Sequence, residues 1–73
     1  MVTGRLKYNY DNGRYGLIVS GDWEKQGFHC GDTMEVLIDG DWIKTRIEMN
    51  FNQKWYLVRT PFSGNLDNIA ARI

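Results

Sequence analysis

The chain has 73 residues, with 9 Lys+Arg against 9 Asp+Glu, one His, one Cys and three Trp. A single domain of this size buries only roughly 60% of the surface its unfolded form exposes, so the core is expected to be small, with no second lobe to frame the interdomain cleft that many enzymes use. Zero net charge excludes a polyanion-coating protein, because non-specific affinity for nucleic acid comes from neutralised phosphates.

Aromatic and β-branched residues gather in short stretches bounded by Gly, Asn and Asp, and no window repeats apolar residues at helical spacing over two turns. Strands are predicted over 3–10, 14–20, 33–39, 41–49, 53–60 and 68–73. Residues 21–32, punctuated by Gly21, Gly27 and Gly31, form the longest irregular stretch. Residues 62–67 are too few for an ordinary helix and predict one 3₁₀ turn before the last strand. The fold class is therefore all-β, a small barrel of five to six antiparallel strands in a single domain spanning 1–73.

Asn12-Gly13 predicts the closure of the first hairpin and Asp39-Gly40 that of another, because both central residues of a type I′ turn need positive φ. The second turn specifies a register in which Val36 faces Ile43 and Met34 faces Thr45, while Leu37 faces Trp42, Glu35 faces Lys44 and Thr33 faces Arg46 on the other side. Met34, Val36, Ile38, Ile43 and Ile47 then form the inner face. For the next hairpin, a three-residue loop Asn50-Phe51-Asn52 sets Glu48 opposite Lys54, turns Trp55 and Leu57 inward and leaves Tyr56 outward beside Arg46. A four-residue loop would instead bury Tyr56 and Val58.

Gly31-Asp32 leading into Met34-Glu35-Val36 resembles a strand opening common in SH3-like small barrels. Gly4-Arg5-Leu6-Lys7-Tyr8, Arg14-Tyr15-Gly16-Leu17, Gly31-Asp32, Trp42, Arg46-Ile47-Glu48, Trp55-Tyr56-Leu57-Val58 and Ala71-Arg72-Ile73 together resemble a family of short uncharacterised proteins, a domain of unknown function, carried by mobile elements of Gram-positive bacteria. The resemblance implies a compact β-barrel in a bacterial cytoplasm and brings no catalytic or binding residues with it.

A lone Cys cannot form an internal disulfide and favours a reducing, cytoplasmic compartment. No signal-peptide core is present, and the longest apolar runs, Leu17–Val19 and Val36–Ile38, are too short to span a bilayer, so no membrane role is expected. His29-Cys30-Gly31-Asp32 is the only cluster of reactive types. Neighbours in an extended segment point opposite ways, and structural zinc wants four ligands, so this stretch predicts a small Cys packed near Phe28 beside an exposed His, with no metal site. No glycine-rich phosphate loop precedes a helix, and Asp39 and Asp41 flank a turn that favours Asp for backbone reasons. Neither catalytic residues nor a cofactor is expected, and the chain is read as a non-enzyme.

Charge is uneven along the chain. Arg5, Lys7 and Arg14 make the first segment basic, while Asp22, Glu24, Asp32, Glu35, Asp39 and Asp41 make the middle acidic. Lys44, Arg46, Lys54, Arg59 and Arg72 make the last segment basic again. Internal pairing between strands and a polarised binding surface both fit this pattern. Trp42, Lys44 and Arg46 alternate on one strand with Tyr56 adjacent, and aromatic plus basic side chains are what stacking on unpaired bases requires. The same residues suit a peptide groove. The leading expectation is a binding module of a bacterial mobile element that uses this outer face for a protein, peptide or single-stranded nucleic acid. The alternative is a structural unit whose exposed strand edge pairs with a second copy as a homodimer.

Overall fold

The computed structural model describes residues 1–73. Its strands are β1 (Thr3–Asn9), β2 (Arg14–Val19), β3 (Asp22–Lys25), β4 (Thr33–Ile38), β5 (Asp41–Met49), β6 (Trp55–Leu57) and β7 (Ala70–Arg72). They form one 7-stranded sheet in the order β3-β2-β1-β7-β4-β5-β6. Every pairing is antiparallel. Two meanders, β1–β3 and β4–β6, are thus joined by β7, which pairs with β1 on one side and β4 on the other.

The all-β class is as the sequence indicates, but seven strands replace the expected five to six, and the sheet keeps two ends, β3 and β6, instead of closing as a barrel. The additional strand, β3, lies in the stretch expected to be irregular. It follows a tight turn at Ser20-Gly21, both with positive φ (52° and 84°), which sets Val19 opposite Asp22. A Ser-Gly pair between an apolar run and an alternating Asp-Trp-Glu-Lys is a hairpin signal. Nor do residues 62–67 hold a 3₁₀ turn. Leu57 N–H donates to Phe62 O and Gly64 N–H to Trp55 O, with a bridge between Tyr56 and Ser63, so this segment satisfies the free edge of β6.

Asp39 and Gly40 adopt positive φ (50° and 84°), and the β4–β5 register is the predicted one throughout, from Thr33 opposite Arg46 to Leu37 opposite Trp42. The first hairpin differs. Asn9 pairs with Arg14, so the loop spans residues 10–13, and Asn9 O accepts from both Asn12 N–H (3.3 Å) and Gly13 N–H (2.8 Å). The third hairpin slips by two residues, with Glu48 opposite Tyr56 instead of Lys54. The Asn50 side chain causes the slip by accepting from Asn52 N–H (2.9 Å) and Lys54 N–H (3.1 Å), which moves the loop one residue along. A two-residue slip preserves parity, so Trp55 and Leu57 still point inward.

With no covering layer, the sheet wraps its apolar face around one cluster of Leu6, Leu17, Phe28, Met34, Val36, Ile47, Leu57, Leu66 and Ala71, with Tyr15 and Trp55 at its margin. Gly16 permits the close approach this needs, since a Cβ there would collide with the Lys25 carbonyl oxygen. The expected inner face is mostly confirmed, with Met34, Val36 and Ile47 buried, whereas Ile38 and Ile43 are only half-buried. Leu57→Ala should therefore destabilise the protein by about 2–4 kcal/mol, and Ile43→Ala by clearly less, in urea unfolding.

Tyr15 is the one buried group whose titration reports on the core. Its hydroxyl donates to Gly64 O (3.2 Å) and accepts from Leu66 N–H (3.1 Å). Burial pushes this phenol above its ordinary value of 10.0; the Leu66 N–H opposes the shift and the Asp67 charge adds to it. A raised folded pKa means stability fully present below about pH 10 and lost as pH rises through the folded value. Tyr15→Phe should weaken that alkaline loss, measured by urea unfolding between neutral and high pH. At neutral pH it should cost about 1–3 kcal/mol, because Leu66 N–H is left buried without a partner.

Candidate functional site

Alternation along β5 buries Thr45 and Ile47, so Trp42, Lys44, Arg46 and Glu48 project from the opposite, outer face. Tyr56, between buried Trp55 and Leu57, projects the same way. Trp42, Lys44, Arg46 and Tyr56 therefore share one surface, as the sequence indicates. Lys44 and Arg46 are exposed, while Trp42 and Tyr56 are half-buried.

Their partners differ from those the sequence suggests. Glu35 lies opposite Lys44, yet its carboxylate is held by Arg72 of β7, at 2.6 Å from Nη2 and 2.7 Å from Nε. The same guanidinium lies 4.3 Å from the centroid of Trp42 and covers one face of the indole. Glu48 receives Arg46 Nε at 3.0 Å, two residues along the same strand, in place of the expected Lys54. Lys44 is left with no ion pair, and so is Arg59, which no sequence pattern singles out.

Arg59 completes the site. The β5–β6 ladder continues past β6 through Val58 N–H to Arg46 O (3.1 Å), and Thr45 Oγ1 donates to Val58 O at 2.6 Å. A turn then follows in which Thr60 Oγ1 donates to Leu57 O and accepts from Phe62 N–H. Within it Arg59 takes φ of 63°. Thr33, Lys44, Thr45, Arg46, Val58 and Arg59 together line a cleft of about 220 Å³. No carboxylate lines it. A neighbouring concavity, lined in part by Thr33, Glu35, Lys44 and Arg72, continues the surface toward β7.

The reactive-type cluster does not converge. His29 and Cys30 are both exposed, which corrects the expectation of a Cys packed against Phe28; Phe28 alone is buried. Asp32 is occupied in shaping the turn, where Oδ2 accepts from His29 N–H (2.8 Å) and lies 3.8 Å from Lys25 Nζ. No set of three or more His, Cys, Asp or Glu side chains is grouped to hold a metal ion. On another side, Tyr8, Tyr15, Trp55, Met49 and Lys54 help line a hollow between the two meanders, with Trp55 Nε1 donating to Gly13 O at 3.3 Å.

Residues 4–73 match the model of a domain of unknown function, DUF5348. The crystal structure of a protein from Ruminococcus gnavus, a structural genomics target, is similar over 99% of this chain and 100% of that one, with 32% identity and a TM-score of 0.82. No curated protein matches. The outer-face geometry also separates two cations by role. Arg72→Ala, which strands Glu35 and uncovers Trp42, should cost about 1–3 kcal/mol in urea unfolding. Lys44→Ala should change stability by no more than about 0.5 kcal/mol.

Proposed function

The chain belongs to this family of domains of unknown function, and we propose that it acts as a non-catalytic binding module that holds unpaired nucleic acid against its outer face. The observation that carries this reading is the segregation of charge in a chain with no net charge. The outer face presents Arg5 and Lys7 from β1, Arg72 from β7, Lys44 and Arg46 from β5, and Arg59 beyond β6, against Glu35 and Glu48 alone. The remaining acids lie in turns, in β3 or, for Asp41, at the first position of β5 beside the Asp39-Gly40 turn. A strand of phosphates is the ligand such a face complements, with half-buried Tyr56 available for a base.

A peptide groove is favoured less, because Arg72 covers the indole face that an extended peptide would pack against. Self-pairing is also favoured less. The β6 edge is already bridged by residues 62–64, and β3 is a short edge bearing Asp22 and Glu24, features that oppose edge-to-edge association. The curling of two meanders around one core supports describing the layout as SH3-like. The mobile-element and cytoplasmic setting follows the resemblance of the motif order, together with the exposed, unpaired Cys30.

Titration with oligothymidylate, followed by amide chemical shifts, should perturb β5, Tyr56 and Arg59. Affinity should fall with salt, and Lys44→Ala should reduce the log–log slope by about 0.7 for each phosphate that the lysine neutralises. Perturbations confined to residues 21–32, or none at all, would reject the reading.

A further inference from the structure

The cleft beneath Arg59 differs from the rest of the basic face in converging its charges. Lys44, Arg46 and Arg59 line it from a strand and a turn, together with exposed Thr33. Glu48 offsets one of the three cations through Arg46 Nε, leaving two positive charges uncompensated and the terminal nitrogens of Arg46 outside that bond. At about 220 Å³ the cleft has room for several waters' volume, at roughly 30 Å³ each, and hence for a tetrahedral anion with its hydration.

The backbone at Arg59 is a second observation. Its φ of 63° lies in the left-handed region, where Gly or Asn is the favourable occupant and a long side chain is uncommon. Nothing in the fold repays Arg at this position, since its side chain makes no hydrogen bond or ion pair. The strained position does place Arg59 in the lining of the cleft that Lys44 and Arg46 share. A site built against backbone preference and like-charge repulsion is relieved by an anion of matching charge.

Resting on the nucleic-acid reading above, we propose that this cleft is a subsite for a phosphate monoester dianion, namely the terminal phosphate of a bound strand, with Arg59 as its principal recognition residue. Charge selects the ligand. A monoester carries about −1.5 to −2 at pH 7, which matches the two uncompensated cations, whereas a backbone diester carries a single charge. Two guanidinium residues and one lysine lining a single cleft suit the oxygens of a terminal phosphate.

The test compares inorganic phosphate, a 5′-phosphorylated oligothymidylate, a 3′-phosphorylated one and the unphosphorylated strand, at matched ionic strength, by amide chemical shifts. Phosphate should perturb Thr33, Lys44, Thr45, Arg46, Val58 and Arg59 and saturate. One terminally phosphorylated strand should bind about tenfold more tightly than the unphosphorylated one. Arg59→Asn, which suits the left-handed backbone, should fold with a Tm equal to or above that of the wild type and abolish that tenfold preference. Equal binding of all three strands, or an Arg59→Asn variant that keeps the preference, overturns the subsite while leaving the nucleic-acid reading intact. Saturable phosphate binding with no binding of any strand retains an anion site but overturns both the nucleic-acid reading and the assignment to a strand end.

Discussion

The sheet depends on the ladder that Ala70–Arg72 makes with its two neighbours. Neither three-stranded meander has a second layer of its own to cover its apolar face, and so small a sheet is stable only when that face is buried. By pairing with β1 and β4 at once, β7 makes one sheet of the two, and backbone bonds beyond the strand, between Val2 and Ile73 and between Leu6 and residues 68–69, lengthen the seam. Ala71 is fully buried where the two apolar faces meet, so a larger side chain there would part the strands it joins.

A sheet joined along one seam must still bring its far ends together around the core, and the segment after β3 does this with polar contacts. Gln26 O accepts from the side-chain amides of both Asn9 and Asn12, Phe28 N–H donates to Tyr15 O, and Gly31 N–H donates to Ile47 O. The connection is therefore anchored to β2 and then to β5, across the side opposite β7. Phe28 lies between those anchors and is buried, which explains why an irregular stretch contributes one of the largest core side chains. Burial thus follows from the tethering of backbone on either side, with no strand periodicity to announce it.

Legibility in the sequence follows the range of the interaction that decides each feature. The β4–β5 register depends on two adjacent residues, Asp39 and Gly40, whose backbone preference is local, and it is readable to the residue. The third hairpin depends on a side-chain bond pattern around Asn50, compatible with more than one loop, so its parity is readable and its alignment is not. The same division applies to the outer face. Alternation on β5 identifies Trp42, Lys44, Arg46 and, by parity, Tyr56. The partner of Glu35 cannot be found that way, because Arg72 reaches it only through the placement of β7 beside β4, and the Ala-Ala-Arg of β7 carries almost no pattern of its own. Arg59 escapes for a related reason: it stands in a turn, and no periodicity reports where a turn aims its side chain.

The pairing of Arg72 with Glu35 also determines what the outer face can do. Had Glu35 met Lys44 as the cross-strand register invites, β5 would carry two neutralised cations and little net field. The β7 guanidinium instead takes the carboxylate and covers one side of Trp42, using the charge at the centre of the sheet for structure. Lys44 is thereby left unpaired next to Arg59, in a cleft without a carboxylate. Because both lie at the surface, their mutual repulsion is screened and small in salt, and it grows as an approaching ligand excludes water between them. The cations engaged in stabilising the sheet and those left unpaired at the surface are thus separated in the fold, so a neutral chain can present a basic face while the seam at β7 keeps its own ion pair.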